Sequence, residues 1–296
     1  MSRIVLGNSG SALALQQTRA VLAELTEEWP DLNIIQHTIR GAGSPADVLA
    51  ALAGNTINIA VLAADSLPLS LPDDVTVAAI AKRLEPRTAL ISKGLKQLAD
   101  LAPSAAVGVR DERDRAFLLT RHPELTVQVL TEGFEEHFNR ISSGELAALV
   151  LPADALIRSG HRQHIESLLE ADVFTPCVGQ GALALVVRSD DDLAFETAYT
   201  LQHRPSFDRV QAERSFALAL ANQPANQPAN QPGKHNYAIG ALATVSGDGD
   251  MSLFGAVTDP AQHITIQAEI SGEAREANTL GKELAQDVLD QLASLS

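Results

Sequence analysis

Apolar and polar positions change period several times along this chain, and each change predicts an element. Arg3 to Leu6 reads as a strand, and Gly7-Asn8-Ser9-Gly10-Ser11 as a turn. Ala12 to Trp29 then carries Leu15, Leu22, Leu25 and Trp29 on one face at helical spacing, with Ser11 placed as an N-cap. Asn33 to Ile39 is a second strand, so strand, helix and strand form a parallel pair with a crossover. Ser44 to Leu52 is a short helix with Ser44 capping and Pro45 at its first position. Ile57 to Ala63 and Val75 to Ala81 are strands. Leu95 to Leu101 reads as a helical connector into a second domain.

The rhythm restarts at Val107, with strands at 107–109, 127–130 and 146–151 and helices at 112–122, 134–142 and 152–159. Thr175-Pro176-Cys177-Val178-Gly179-Gln180-Gly181 is a turn-like lead into the apolar run Ala182 to Val187. An apolar run bounded by turn residues is a buried strand. Two readings stand for Gln180: a kink in a strand crossing between domains, or an amide displayed on the floor of a cleft.

Residues 204–296 differ. A helix at 207–221 precedes Ala-Asn-Gln-Pro three times in succession, at 221–224, 225–228 and 229–232. Proline at every fourth residue forbids helix and strand, so 221–234 is a solvated loop. Strands at 238–245, 251–257 and 264–270 and an amphipathic helix at 277–295 close the chain as an α+β module. The fold class is α/β, with two α/β domains around a cleft and a C-terminal α+β domain. The expected boundaries are 1–94 with 176–200, 95–175, and 204–296.

Composition narrows the function. The formal net charge is −15 over 296 residues. That balance argues against nucleic-acid and anionic-membrane surfaces, both of which need basic residues. Cys177 is the single cysteine, so no internal disulfide forms and a reducing compartment is expected. No apolar run reaches the ~18 residues of a membrane span, and Met1 leads into a strand without a signal-peptide pattern. A cytoplasmic monomer with a small-molecule ligand or a protein partner is the expectation. His161 and His164 lack a third ligand in the sequence pattern, so no metal is expected and they read as an exposed helix end.

The motifs, taken in order, resemble those of porphobilinogen deaminases (hydroxymethylbilane synthases) nearly end to end. The likeness rests on Gly10 to Leu15, Leu71-Pro72 to Ala79-Ile80, and Glu85-Pro86-Arg87-Thr88-Ala89-Leu90-Ile91-Ser92. Val107-Gly108, Pro123-Glu124-Leu125, Val178 to Leu183 and Ala212-Glu213-Arg214-Ser215-Phe216 continue it. The resemblance implies two periplasmic-binding-protein-like domains and a C-terminal domain, in the pathway of tetrapyrrole and heme biosynthesis. It implies an activity that joins four porphobilinogen units on a dipyrromethane primer bonded to a cysteine. An aspartate assists, and arginines hold acetate and propionate groups.

At the positions that carry this chemistry the chain departs from the family. Ser66 stands at the aspartate position, with Asp65 one place earlier. On an extended segment that offset turns a side chain to the opposite face. His235 stands near the position of the primer cysteine, leaving Cys177 as the remaining thiol. Ser9 replaces one arginine, Asp114 follows Arg113 where a second is expected, and Thr131 and His137 occupy two more such slots. Arg40, Arg113, Arg115 and Gln180 remain as candidate ligand-binding residues. A hydrogen bond to a charged group contributes about 1.5–3 kcal/mol, so three lost arginines forfeit roughly 4–9 kcal/mol of binding. A missing acid/base group costs about 10²–10⁴ in rate. The resulting expectation is a family member without catalytic residues, cofactor or the family's activity. The alternative is an active hydroxymethylbilane synthase with relocated groups, its dipyrromethane on Cys177.

Overall fold

The computed structural model describes residues 3–39, 41, 44–221 and 237–295. Its strands are β1 (Arg3–Asn8), β2 (Asn33–Thr38), β3 (Ile59–Ala63), β4 (Val75–Ile80), β5 (Thr88–Ser92), β6 (Ala106–Val109), β7 (Thr126–Val129), β8 (Ala148–Pro152), β9 (Ser167–Leu169), β10 (Leu183–Arg188), β11 (Ala238–Val245), β12 (Asp250–Asp259) and β13 (Ile264–Glu273). Its α-helices are α1 (Ala12–Glu28), α2 (Pro45–Ala53), α3 (Glu112–Arg121), α4 (Phe134–Ser143), α5 (Ala153–Arg158), α6 (Asp192–Tyr199), α7 (Arg204–Ala221) and α8 (Ala277–Leu295). They fall into two compact units, Met1–Leu84 with Gly179–Val210 and Glu85–Val178 with Gln211–Ser296. Residues 222–234 of the expected Ala-Asn-Gln-Pro loop, Arg40 and His235 lie outside the described residues, while Ala221, expected in that loop, closes α7.

The first unit holds a five-stranded sheet in the order β2-β1-β3-β10-β4. β1 pairs parallel with β2 and β3, as the crossover pattern predicts. β10 runs antiparallel to both β3 and β4. A strand buried on both faces has the same apolar run in either direction, so sequence could not set its polarity. Ile4, Leu6, Ile59, Leu185 and Val187 build one core layer with Val21 and Leu25 of α1. Val48 and Leu52 of α2 cover the other face with Ala60, Leu62 and Val186.

The segment at 179–181 is a turn and not part of the strand. Gly179 and Gly181 have φ of 79° and 85°, and a Cβ on Gly179 would stand 2.9 Å from the carbonyl carbon of Ala64. Only glycine meets both demands. Gln180 between them is 1% exposed, and its carbonyl accepts the Nε–H of the buried Arg83 at 2.7 Å.

The second unit contains another five-stranded sheet, ordered β7-β6-β8-β5-β9, and a three-stranded antiparallel sheet, β11-β12-β13. The antiparallel strands and α8 form the expected α+β module. β9 and α6 escape the hydrophobic pattern because three residues at a sheet edge and a helix of eight give too short a period. The expected helical connector at 95–101 is reduced to a single 3₁₀ turn, Leu98–Asp100. There the Asp100 carboxylate accepts the Gln97 N–H and competes with helical bonding. Phe117 of α3, Phe174, Val107 and Val150 share a core with Ala238 and Ala256, so the two sheets of this unit share one apolar cluster. α7 and α8 approach closely at Gly281, where a Cβ would stand 2.4 Å from the Ala212 carbonyl oxygen.

Candidate functional site

In the first unit a cavity of about 170 Å³ opens beyond the carboxyl ends of β1 and β3, the usual ligand position in open α/β sheets. It is lined by Ser9 and Ser11 from the turn after β1, Gln17 from α1, Ser44 ahead of α2, and Ser66 from the 3₁₀ turn after β3. Ser11 caps α1, its hydroxyl oxygen accepting the Ala14 N–H at 3.1 Å. Ser44 caps α2 and shares a reciprocal box with Asp47, donating its own N–H to that carboxylate at 3.0 Å. Ser66 donates its hydroxyl proton to the Ala63 carbonyl at 2.7 Å. Gln17 is 4% exposed, and Asn8, at the end of β1, is fully buried. The Asn8 side-chain oxygen accepts the Gly10 N–H, while its Nδ2 has no partner among the described residues. Among the described residues, no acid, base or thiol lines this cavity.

The cavity therefore brings together Ser9 and Ser66, at the arginine and aspartate positions of the resemblance. It does not bring in Asp65, which is half-buried in the turn Ala64–Ser66 and does not line the space. Serine at 66 presents a hydroxyl whose proton is already committed, a group that cannot exchange protons near neutral pH as a carboxylate can.

The candidate arginines of the second unit, Arg113 and Arg115, do not line this cavity and differ in how their donors are used. Arg113 donates through Nε to the Ile239 carbonyl at 2.9 Å and through Nη2 to the carbonyls of Pro176, at 2.9 Å, and Thr175. Its Nη1 meets the buried Asp114 carboxylate at 2.7 Å, and its guanidinium lies 4.3 Å from the centre of the Phe117 ring. It is a structural clamp, and its partner slot, Asp114, is its counter-ion. Arg115 is exposed and pairs with Glu112 at 3.1 Å. Arg87, in the family-like Glu85-Pro86-Arg87 turn, is held protonated by its bond to Glu85 at 2.9 Å and by Glu170. Gln180 is closed to solvent and so is not displayed on a cleft floor. Sequence reasoning missed Arg83, whose buried guanidinium fixes the turn at 179–181; a lone arginine between strands gave no signal.

His137, at another arginine slot, is 5% exposed, and burial pushes its pKa below the ordinary value. Both its ring nitrogens lack hydrogen-bond partners among the described residues, the nearest carboxylate oxygen being that of Glu132 at 3.7 Å. His161 and His164 are half-buried and not an exposed helix end. α5 stops at Arg158, and both rings pack on Phe138, His164 stacking with centroids 4.0 Å apart. Among the described residues no helix is long and apolar enough to cross a membrane.

Residues 4–196 match the family model of porphobilinogen deaminase, dipyrromethane cofactor-binding domain. The porphobilinogen deaminase of Thermus thermophilus is 38% identical over 302 residues, covering 98% of this chain and 97% of that protein. Those of Deinococcus radiodurans and Deinococcus deserti are 34% and 36% identical, covering 99% and 98% of this chain and 97% and 96% of theirs.

This match overturns the expectation that no cofactor is involved, since the shared domain is the one named for binding dipyrromethane. Covalent attachment requires a thiol, and the single one, Cys177, is half-buried between the buried Pro176 and Val178. The carboxylates of such a group require cations. Arg113 is committed to three carbonyls and Asp114, and no cationic side chain lines the cavity of the first unit among the described residues. The described residues thus do not fit that group in the manner the resemblance implies. Matched over most of its length by the family model and over nearly all of it by curated relatives, the chain belongs to the porphobilinogen deaminase family.

Proposed function

We propose that this chain is a cytoplasmic ligand-binding member of the porphobilinogen deaminase family that does not polymerise porphobilinogen. One observation carries this reading: the cavity after β1 and β3 is lined by hydroxyls, an amide and apolar carbon. Ser66, at the position of the family's aspartate, donates its proton to Ala63. Proton transfer during pyrrole condensation needs a group that changes protonation state near neutral pH, worth about 10²–10⁴ in rate. A volume of about 170 Å³ also lies below the ~300 Å³ at which drug-sized ligand sites begin. It suits a small polar molecule that can use the hydroxyls and the Gln17 amide. The test is incubation of the purified full chain with porphobilinogen, followed by oxidation and spectrophotometry of uroporphyrin. The expected outcome is no porphyrin above the protein-free blank, and steady turnover would refute the proposal.

Identity of 38% over 97% of the Thermus protein supports a second reading, an active transferase with relocated groups. In that reading Cys177 carries the dipyrromethane. A mass increment of that group on the intact chain, mapped to the Cys177 peptide, would favour the second reading over the first.

A further inference from the structure

A separate cleft, lined by α3, lies in the second unit and has no part in the proposed site. It encloses about 400 Å³ between one face of α3, the start of β11 and the turn joining β12 to β13. That is within the range of small-molecule sites. Its apolar carbon comes from Ala116, Leu119, Ala238 and Pro260, and Tyr237 stands at its edge. Burial together with the charge of Asp259 pushes the Tyr237 phenol upward, so it is a neutral hydroxyl at physiological pH.

Three groups able to donate hydrogen bonds reach this cleft with capacity unspent among the described residues, beside the Glu112 carboxylate and the committed Arg113, which also line it. Arg115 uses only Nη1, toward Glu112 at 3.1 Å, which leaves Nε and Nη2 as a fork of donors. Thr120 and His263 also line the space. His263 adopts φ of 55°, a left-handed conformation that a residue with a Cβ rarely takes. Such outliers collect at ligand sites. Neighbouring Arg113 differs, because its donors are consumed by the fold.

We propose that this cleft binds a small organic monoanion with a flat apolar body, of the class of aromatic carboxylates. The ring covers Ala116, Leu119 and Pro260, and the carboxylate takes the donor fork of Arg115 with support from His263. A planar two-oxygen anion matches the guanidinium fork. The apolar floor supplies the attraction that a chain of net charge −15 withholds from anions at long range. Arg115, singled out by the sequence as a ligand cation, keeps that role at a different place. The proposal does not depend on whether the first unit is catalytic.

The experiment titrates 2-naphthoate into the full chain, followed by calorimetry and by amide chemical shifts. Saturable one-to-one binding is expected, with shifts confined to α3 and residues 260–263. Arg115→Ala should weaken it about ten- to hundredfold, the loss of one charged hydrogen-bonding pair. Leu119→Glu, at a half-exposed position that tolerates a polar side chain, should abolish it. The uncharged 2-naphthamide should bind at least about tenfold more weakly than the acid. Absence of saturation, or equal affinity for Arg115→Ala and Leu119→Glu chains with native-like amide spectra, overturns the proposal.

Discussion

Replacing Arg113 with alanine distinguishes a ligand-binding arginine from one absorbed by the fold. The side chain is 14% exposed and engages Ile239, Thr175 and Pro176 carbonyls together with Asp114. Its removal leaves the Asp114 carboxylate, 2% exposed, with Arg110 at 3.6 Å as its remaining cation among the described residues. Deleting one partner of a buried charge pair costs about 3–5 kcal/mol, because the other charge stays desolvated. The amide of Ala241 reports the effect locally, since it donates to the Pro176 carbonyl at 3.1 Å beside the clamp. Opening that becomes easier by about 3 kcal/mol accelerates its hydrogen exchange by more than about a hundredfold. Arg113→Lys retains a charge opposite Asp114 but not the planar fork, and should fall between. Arg115→Ala, at an exposed pair, should change stability by less than about 1 kcal/mol. If Arg113→Ala left Ala241 exchange within about threefold of the parent, a shift of under 1 kcal/mol, the clamp reading would fail.

Two further predictions concern buried positions. His137 has a pKa depressed chiefly by burial, with Glu132, Glu136 and Arg140 as its charged neighbours and the Phe134 ring at its edge. The unfolded chain therefore takes up this proton more readily, and stability falls as pH drops below the ordinary histidine value of about 6.5. His137→Phe should flatten urea midpoints between about pH 7 and 5, and an unchanged slope would show that other groups set it. Gly281→Ala places a Cβ 2.4 Å from the Ala212 carbonyl oxygen and 2.6 Å from the Ser215 Cβ. Overpacking of about 1–3 kcal/mol should outweigh the ~1 kcal/mol gain in helix propensity, lowering the urea midpoint. A raised midpoint would mean that α7 and α8 move apart without cost.

Local patterning was enough to fix much of this protein. Ser11 and Ser44 mark the starts of α1 and α2, and Ala238–Val245 and Ala277–Leu295 fall where periodicity puts them. These features depend on residues within a few positions of one another, which a linear reading sees. Order and spacing of weak motifs likewise carried the family. The direction of β10, the burial of Gln180 behind Arg83, and the difference between Arg113 and Arg115 depend on atoms distant in sequence. Two arginines separated by one residue look alike in a string. They differ because Arg113 spends its donors on the Thr175, Pro176 and Ile239 carbonyls and on Asp114, whereas Arg115 spends only Nη1, on Glu112. Composition names the groups available for chemistry; only the packed structure decides which of their hydrogen bonds are already spent.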